Sequence, residues 1–341
     1  MATLFPWYWR FLGLPLSRAK GALVDRIPFS LVETMIWVGA ACCAILALIA
    51  AFGGWRRLRE TRPLYLVLVS APVLLVLMGM GQGAFPISLA PTAWRQPLAK
   101  AFPGPPLPYS RFRDELDMRE NRLLSSFSPG YYESLSDEEI LYGCNRSLDT
   151  VLADLGLQPG RSVAKMKPMG PLTTLLGLSY GGPAFHDPFF GEMAMVRPED
   201  HPAPHYWRLL GMCHEAAHAK GFTREMDAEI LTQLALERSS DPRFRMLGDI
   251  MYLRKSGERI HYPEYLRREI RDTWDSLQRV EAHQPMVRLL RRAAIKLGFQ
   301  NSGGKYGSRS GSENWNPEHP FYSTIEGLLS GTHAKQAGDG P

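Results

Sequence analysis

The stretch Tyr206-Trp207-Arg208-Leu209-Leu210-Gly211-Met212-Cys213-His214-Glu215-Ala216-Ala217-His218-Ala219-Lys220-Gly221 sets one His-Glu-x-x-His run inside an apolar sequence of helical period. No proline interrupts it, so one helix can run unbroken through the motif. Residues four apart on a helix share a face, so His214 and His218 can hold one metal ion between two imidazoles. Glu215 sits one step round, where it can take a proton from a metal-polarised water without becoming a ligand. Gly221 falls where a left-handed glycine ends a helix, with Phe222 as the hydrophobic contact that accompanies such a cap. Thr223 then reads as the N-cap of a second helix whose first turn holds Glu225 and Asp227. A sharp turn at Gly221 folds that helix back towards the metal face. The bland alternative is a pair of surface histidines followed by an acidic first turn that complements the helix dipole.

Two histidines and one carboxylate form a common catalytic zinc set that leaves a fourth position for water. Glu225 and Glu229 lie four residues apart on one face, and either can be the third ligand. Glu225 is the preferred ligand, with Glu229 orienting a ligating histidine from behind. Asp227 and Glu192 are the remaining carboxylates for such a supporting or alternative role.

The first hundred residues differ in character. Leu31 to Phe52 is long enough to cross a bilayer, and its single charge, Glu33, lies at one end. Pro63 to Leu89 is a second uncharged apolar run, with Pro72 as a kink. Two transmembrane helices are expected. Phe5-Pro6-Trp7-Tyr8-Trp9-Arg10 reads as an aromatic foot at the interface, not a cleavable signal peptide. Between the spans, Arg56, Arg57, Arg59 and Arg62 face one Glu60, a cluster that favours the cytoplasm. That choice places the C-terminal domain outside, although Arg10, Arg18, Lys20 and Arg26 pull the other way. The net charge of +5 is spread along the chain, which argues against nucleic-acid binding. Four cysteines give no disulfide framework: Cys42 and Cys43 lie in the first span, and Cys213 suits either pairing with Cys144 or plain helix burial.

The expected organisation is an interfacial segment (1–30), two transmembrane helices (31–89), a Pro-rich linker (90–110), a zinc-peptidase-like domain (111–330) and a disordered tail (331–341). The linker is expected to be stiff and to lift the domain off the membrane. Residues 111–127 look helical and heavily charged. Ser136-Asp137-Glu138-Glu139 is a capping box opening a helix that reaches Leu155 and stops at Gly156. Gly191 to Val196 is the best strand near the motif helix, and it reads either as an edge strand that pairs with an extended substrate or as an ordinary structural strand. Basic helices are expected from Pro263 to Leu297, and a Gly/Ser-rich loop from Asn301 to Asn316.

Lys167-Pro168, Pro188-Phe189-Phe190-Gly191-Glu192, His214 to Gly221 and Arg224-Glu225-Met226-Asp227-Ala228-Glu229, in that order after two apolar runs, resemble a bacterial membrane family known as domain of unknown function 3810. The resemblance covers most of the chain and thins beyond Arg254. It implies a membrane-anchored, zinc-peptidase-like domain facing the periplasm or cell exterior, with an unknown substrate. The family pattern carries Asn where this chain has Glu229, and often a further N-terminal span.

The expected fold is therefore mainly α: two N-terminal transmembrane helices plus a gluzincin-like α+β metallopeptidase domain with a small sheet. The expected activity is zinc-dependent peptide hydrolysis, with Zn²⁺ on His214, His218 and Glu225 and Glu215 as general base. Peptide or protein substrates and the lipid bilayer are the expected partners, and the bacterial inner membrane is the expected location, with the domain extracytoplasmic. Candidates to stabilise the oxyanion are His205, Tyr252, His261, His319 and Tyr322. Two alternatives stand beside this: an inactive zinc-binding envelope scaffold or receptor, and a membrane interaction protein with an accidental motif.

Overall fold

A helix buried on all sides sits at the centre of a helical domain, and Glu225–Glu237 meets that condition along its second half: Ile230, Leu231, Thr232, Gln233, Leu234, Ala235 and Leu236 are all buried. The computed structural model describes residues 19, 22–60, 97–127, 132, 135–157, 160–180, 184–187, 191–197, 205–222, 224–256, 264, 266–268, 289, 292 and 319–330; side chains 43, 46, 49–60, 176–180 and 205–207 are outside that description. In chain order the elements are α1 (Leu31–Glu60), α2 (Leu98–Ala101), α3 (Tyr109–Ser126), α4 (Asp137–Asp154), β1 (Lys167–Pro168), α5 (Pro171–Tyr180), β2 (Ala184–Asp187), β3 (Glu192–Met195), α6 (His205–Ala219), α7 (Glu225–Glu237), α8 (Pro242–Ser256) and α9 (Pro320–Leu329).

Central helix α7 packs against α4, α6, α8 and α9, while α3 lies on α8. The protein is mainly helical with one small mixed sheet. That sheet runs in the order β1-β3-β2, with β1 parallel and β2 antiparallel to β3. β2 lies along α6. Strand β3, the stretch expected at the sheet's edge, is therefore its middle strand, and all four of its residues are buried. A strand flanked on both sides cannot accept a substrate strand. The edge beside the motif helix is β2 instead.

Two helix ends follow the sequence closely. The Ser136 hydroxyl accepts from the Glu139 amide and the Glu139 carboxylate accepts from the Ser136 amide, so the capping box is complete. Gly156 ends the following turn with φ of 66°. The Pro-rich segment behaves otherwise. From residue 97 onward it is docked: Leu98 and Leu107 enter the main core, and the Leu98 amide donates to Asp227. A Cβ on Gly104 would meet the Ser323 carbonyl oxygen at 1.6 Å, so α9 backbone lies directly against the segment there.

The charged helix α3 is not merely a solvated surface. Arg119 is buried, pairs with Glu115, Glu237 and Asp249, and lies 4.0 Å from the Tyr252 ring centroid. Cys144 of α4 and Cys213 of α6 form a disulfide, with Cα atoms 5.3 Å apart. It closes a loop of 69 residues. Cross-links of that span stabilise by about 2–4 kcal/mol. Cys144→Ser with Cys213→Ser is expected to lower the unfolding free energy by about that amount in urea titration. An unchanged midpoint would show that the bond adds nothing to folding.

The first apolar run forms α1, and Trp37, Val38, Ile45 and Leu48 stand exposed along it. Counted over the described residues, no helix is long and apolar enough to cross a membrane. Side chains 43, 46 and 49–60 of α1 fall outside that count. The second apolar run (63–89), the aromatic foot (5–10), the Gly/Ser-rich loop and most of the expected basic helices lie outside the described residues.

Candidate metal centre

The left-handed glycine sets the geometry of the centre. Gly221 takes φ of 105°, its amide donates to the His218 carbonyl, and the chain turns sharply out of α6. That turn carries the Phe222 carbonyl to 2.6 Å from His218 Nδ1. A carbonyl only accepts, so Nδ1 carries a proton and Nε2 is the atom left to bind a metal once its own proton is lost. Helix α7 then begins one step beyond Arg224, whose extended backbone occupies the N-cap position. Thr223, expected in that role, lies outside the described residues.

The fold-back brings three ligand atoms together. His214 Nε2 is 3.1 Å from His218 Nε2 and 3.1 Å from a Glu225 carboxylate oxygen, and the other Glu225 oxygen is 3.6 Å from His218 Nε2. Together they make a group, all within 4.8 Å of one another, that could hold a metal ion. Zinc with bonds of about 2.0–2.1 Å in a tetrahedron spaces its ligand atoms by about 3.3–3.4 Å. Donor types and spacings both fit. Both histidines are half-buried and Glu225 is exposed, so the group opens to solvent on the carboxylate side.

Glu215 sits on the closed side. It is buried, and burial pushes its carboxyl pKa up against the pull of His218 and His214. The backbone amide of His186, on strand β2, donates to this carboxylate. Hydrogen bonds from His214 and His218 hold Glu225 well below the usual carboxylate range. Burial opposes charge on His218, yet Glu225, the charge of Glu215 and the Phe222 carbonyl outweigh it and push the imidazole up to about 9. A metal ligand must be neutral, so zinc has to displace that proton. Zinc affinity, followed with a competing chelator, is expected to rise by about tenfold per pH unit from about pH 6 to 8. The sign follows from a raised pKa: more of the ligand is freed as pH increases. A flat affinity over that range would contradict the assignment.

The supporting carboxylates expected from sequence are placed elsewhere. Glu229 pairs with Lys255 at 2.6 Å. Asp227 accepts from the Leu98 amide and faces Arg224. Glu192 accepts from the Ser30 hydroxyl and, at 2.7 Å, from the Leu31 amide, with Lys167 at 3.4 Å. It caps the apolar helix α1. Glu33 returns the contact, accepting from the Leu172 and Thr173 amides at the start of α5. Of the oxyanion candidates, Tyr252 and Tyr322 are packed with Phe112 and Phe321, and His319 caps α9 through its ring. The side chain of His205 and all of His261 lie outside the described residues. His186 is the neighbour that sequence reading passed over. No histidine spacing points to it, because β2 has no pattern of its own and reaches the centre by packing along α6 and pairing with β3.

Fold and site together define a mainly helical protein with a His-His-carboxylate cluster built by two consecutive helices. The chain belongs to the family described as protein of unknown function (DUF3810), whose model matches residues 8–279. Comparison with curated proteins and with solved structures gave no match.

Proposed function

We propose that this protein is a membrane-anchored zinc metallopeptidase that hydrolyses peptide bonds in peptide or protein substrates. The observation that carries the reading is the convergence of His214, His218 and Glu225 beside the buried carboxylate of Glu215. A purely structural zinc site is closed by its ligands and needs no adjacent base.

Zinc held by His214, His218 and Glu225 would supply Lewis acidity, polarising the scissile carbonyl and lowering the pKa of water. Glu215 takes the proton as the water oxygen attacks the carbonyl carbon. The same carboxylate then hands that proton to the amide nitrogen as the C–N bond breaks, leaving a carboxylate and an amine. The buried position of Glu215 suits this exchange, since desolvation raises a carboxyl towards the pKa range where it can both accept and donate. An extended substrate chain would align along β2, the edge strand beside the motif helix.

Anchoring rests on the apolar run from Leu31 to Phe52 and on the exposed Trp37, Val38, Ile45 and Leu48 of α1, which lipid would cover. The N-terminal end of α1 is bonded to the sheet through Glu192, whereas Arg56, Arg57 and Arg59 lie at its other end. With those arginines in the cytoplasm, the domain faces outward. The Cys144–Cys213 disulfide agrees with an oxidising, extracytoplasmic setting.

The test is incubation of the zinc-loaded full chain in lipid nanodiscs with a diverse peptide mixture, read by mass spectrometry with and without a zinc chelator. New peptide termini that disappear with chelation support the reading. A zinc-loaded protein that cleaves nothing would instead favour an inactive zinc-binding envelope scaffold.

A further inference from the structure

We propose that His186, on edge strand β2, is the hydrogen-bond donor to the oxyanion formed at the scissile carbonyl; the inference rests on the peptidase reading above. Hydrolysis through a tetrahedral oxyanion needs a donor aimed at the developing charge, and the metal's three ligands and Glu215 are committed to other tasks. The tyrosines that sequence offered for it are buried in an aromatic cluster with Phe112 and Phe321.

Strand alternation places His186 on the required face. Phe185 packs with Met169, Ala194 and Val196 on one side of the sheet. Ala184 packs on the other side, with its Cβ 3.7 Å from where a Cβ on Gly211 of α6 would stand. His186 is two residues on from Ala184 and shares that face. Its ring lies nearly parallel to that of His218, at an interplanar angle of 13° with centroids 6.5 Å apart.

Two further facts fix its part in the site. The His186 amide is bonded to Glu215, so the imidazole is carried by the same residue that holds the base. Among the described residues, the ligand group comprises His214, His218 and Glu225 without His186. An imidazole beside the ligand triangle, not within it, and next to the base is where a carbonyl under attack needs a donor. The sheet contributes to the site twice over, once through a main-chain amide and once through a side chain.

Acetohydroxamic acid, a small zinc chelator bearing an anionic oxygen, tests this without any substrate. Its affinity for the zinc-loaded full chain is measured by calorimetry for wild type, His186→Ala, His186→Phe and His186→Gln. All four are expected to keep one zinc per chain. The Ala and Phe variants should bind acetohydroxamate about tenfold more weakly, the effect of one hydrogen bond to a charged group. Gln, which restores an N–H donor, should recover part of the loss. His186→Phe fills the ring's volume, which keeps the comparison usable if the Ala variant fails to fold. Equal affinity in wild type and His186→Phe would overturn the donor role and leave the peptidase reading standing. Loss of zinc from folded His186→Phe would also overturn it, by making His186 a ligand. A wild-type chain that binds no zinc would remove the peptidase reading and this inference with it.

Discussion

Glu215→Gln is expected to keep its zinc while hydrolysis of any cleaved peptide falls by about 10²–10⁴-fold. The substitution preserves size and the ability to accept from the His186 amide, but an amide cannot take the proton of the attacking water. Because Glu215 is outside the ligand group, the metal should be unaffected. Burial lends the experiment a second readout. The native carboxyl is raised by desolvation, so exchanging it for a neutral amide removes a buried charge and should not destabilise the fold. A variant that loses activity together with stability or zinc would assign Glu215 a structural role. One that keeps full activity would remove the general base from the mechanism.

Arg119→Met should be the most damaging change outside the metal centre, costing about 3–5 kcal/mol of stability. Arg119 is surrounded by Glu115, Glu237 and Asp249, drawn from three helices, with the Tyr252 ring on its flat face. Those carboxylates hold the guanidinium protonated against burial. Methionine fills the space but leaves the three acids facing one another, with Arg122 still paired to Asp249. Thermal unfolding of the full chain should drop by several degrees or more, with a partial return in Arg119→Lys. A shift of less than about 1 kcal/mol would show that water or neighbouring cations already satisfy those acids. Helix α7 supplies Glu237 at one end and Glu225 at the other, so this ion cluster also bears on the helix that delivers the third ligand.

The features legible in the sequence are those fixed by local geometry. The i, i+4 spacing of the histidines, the terminating Gly221 and the Ser136–Glu139 box each depend on contacts within one or two turns, and each is formed as read. Glu225 was reachable for the same reason, since a short turn constrains where the next helix can begin. The features missed depend on distant partners. Four residues, Ala184 to Asp187, carry no pattern of their own and become a strand only against β3. Glu192 lies next to the motif region in sequence terms, yet its partners are Ser30 and Leu31, over 160 positions away. Nothing in the spacing of two single cysteines chose between Cys213 as a buried helix residue and Cys213 paired with Cys144. Helix α9 was passed over because its burial depends on α7 and α2. The burial of Arg119 was hidden because a run of charges on one helix does not reveal which member faces inward.

The most direct measurement is zinc content of the full-length protein by elemental mass spectrometry, wild type beside His214→Ala. The account predicts about one zinc per wild-type chain and its loss in a His214→Ala protein that remains folded. A folded wild-type chain that holds no zinc when supplied with it would contradict the account at its centre.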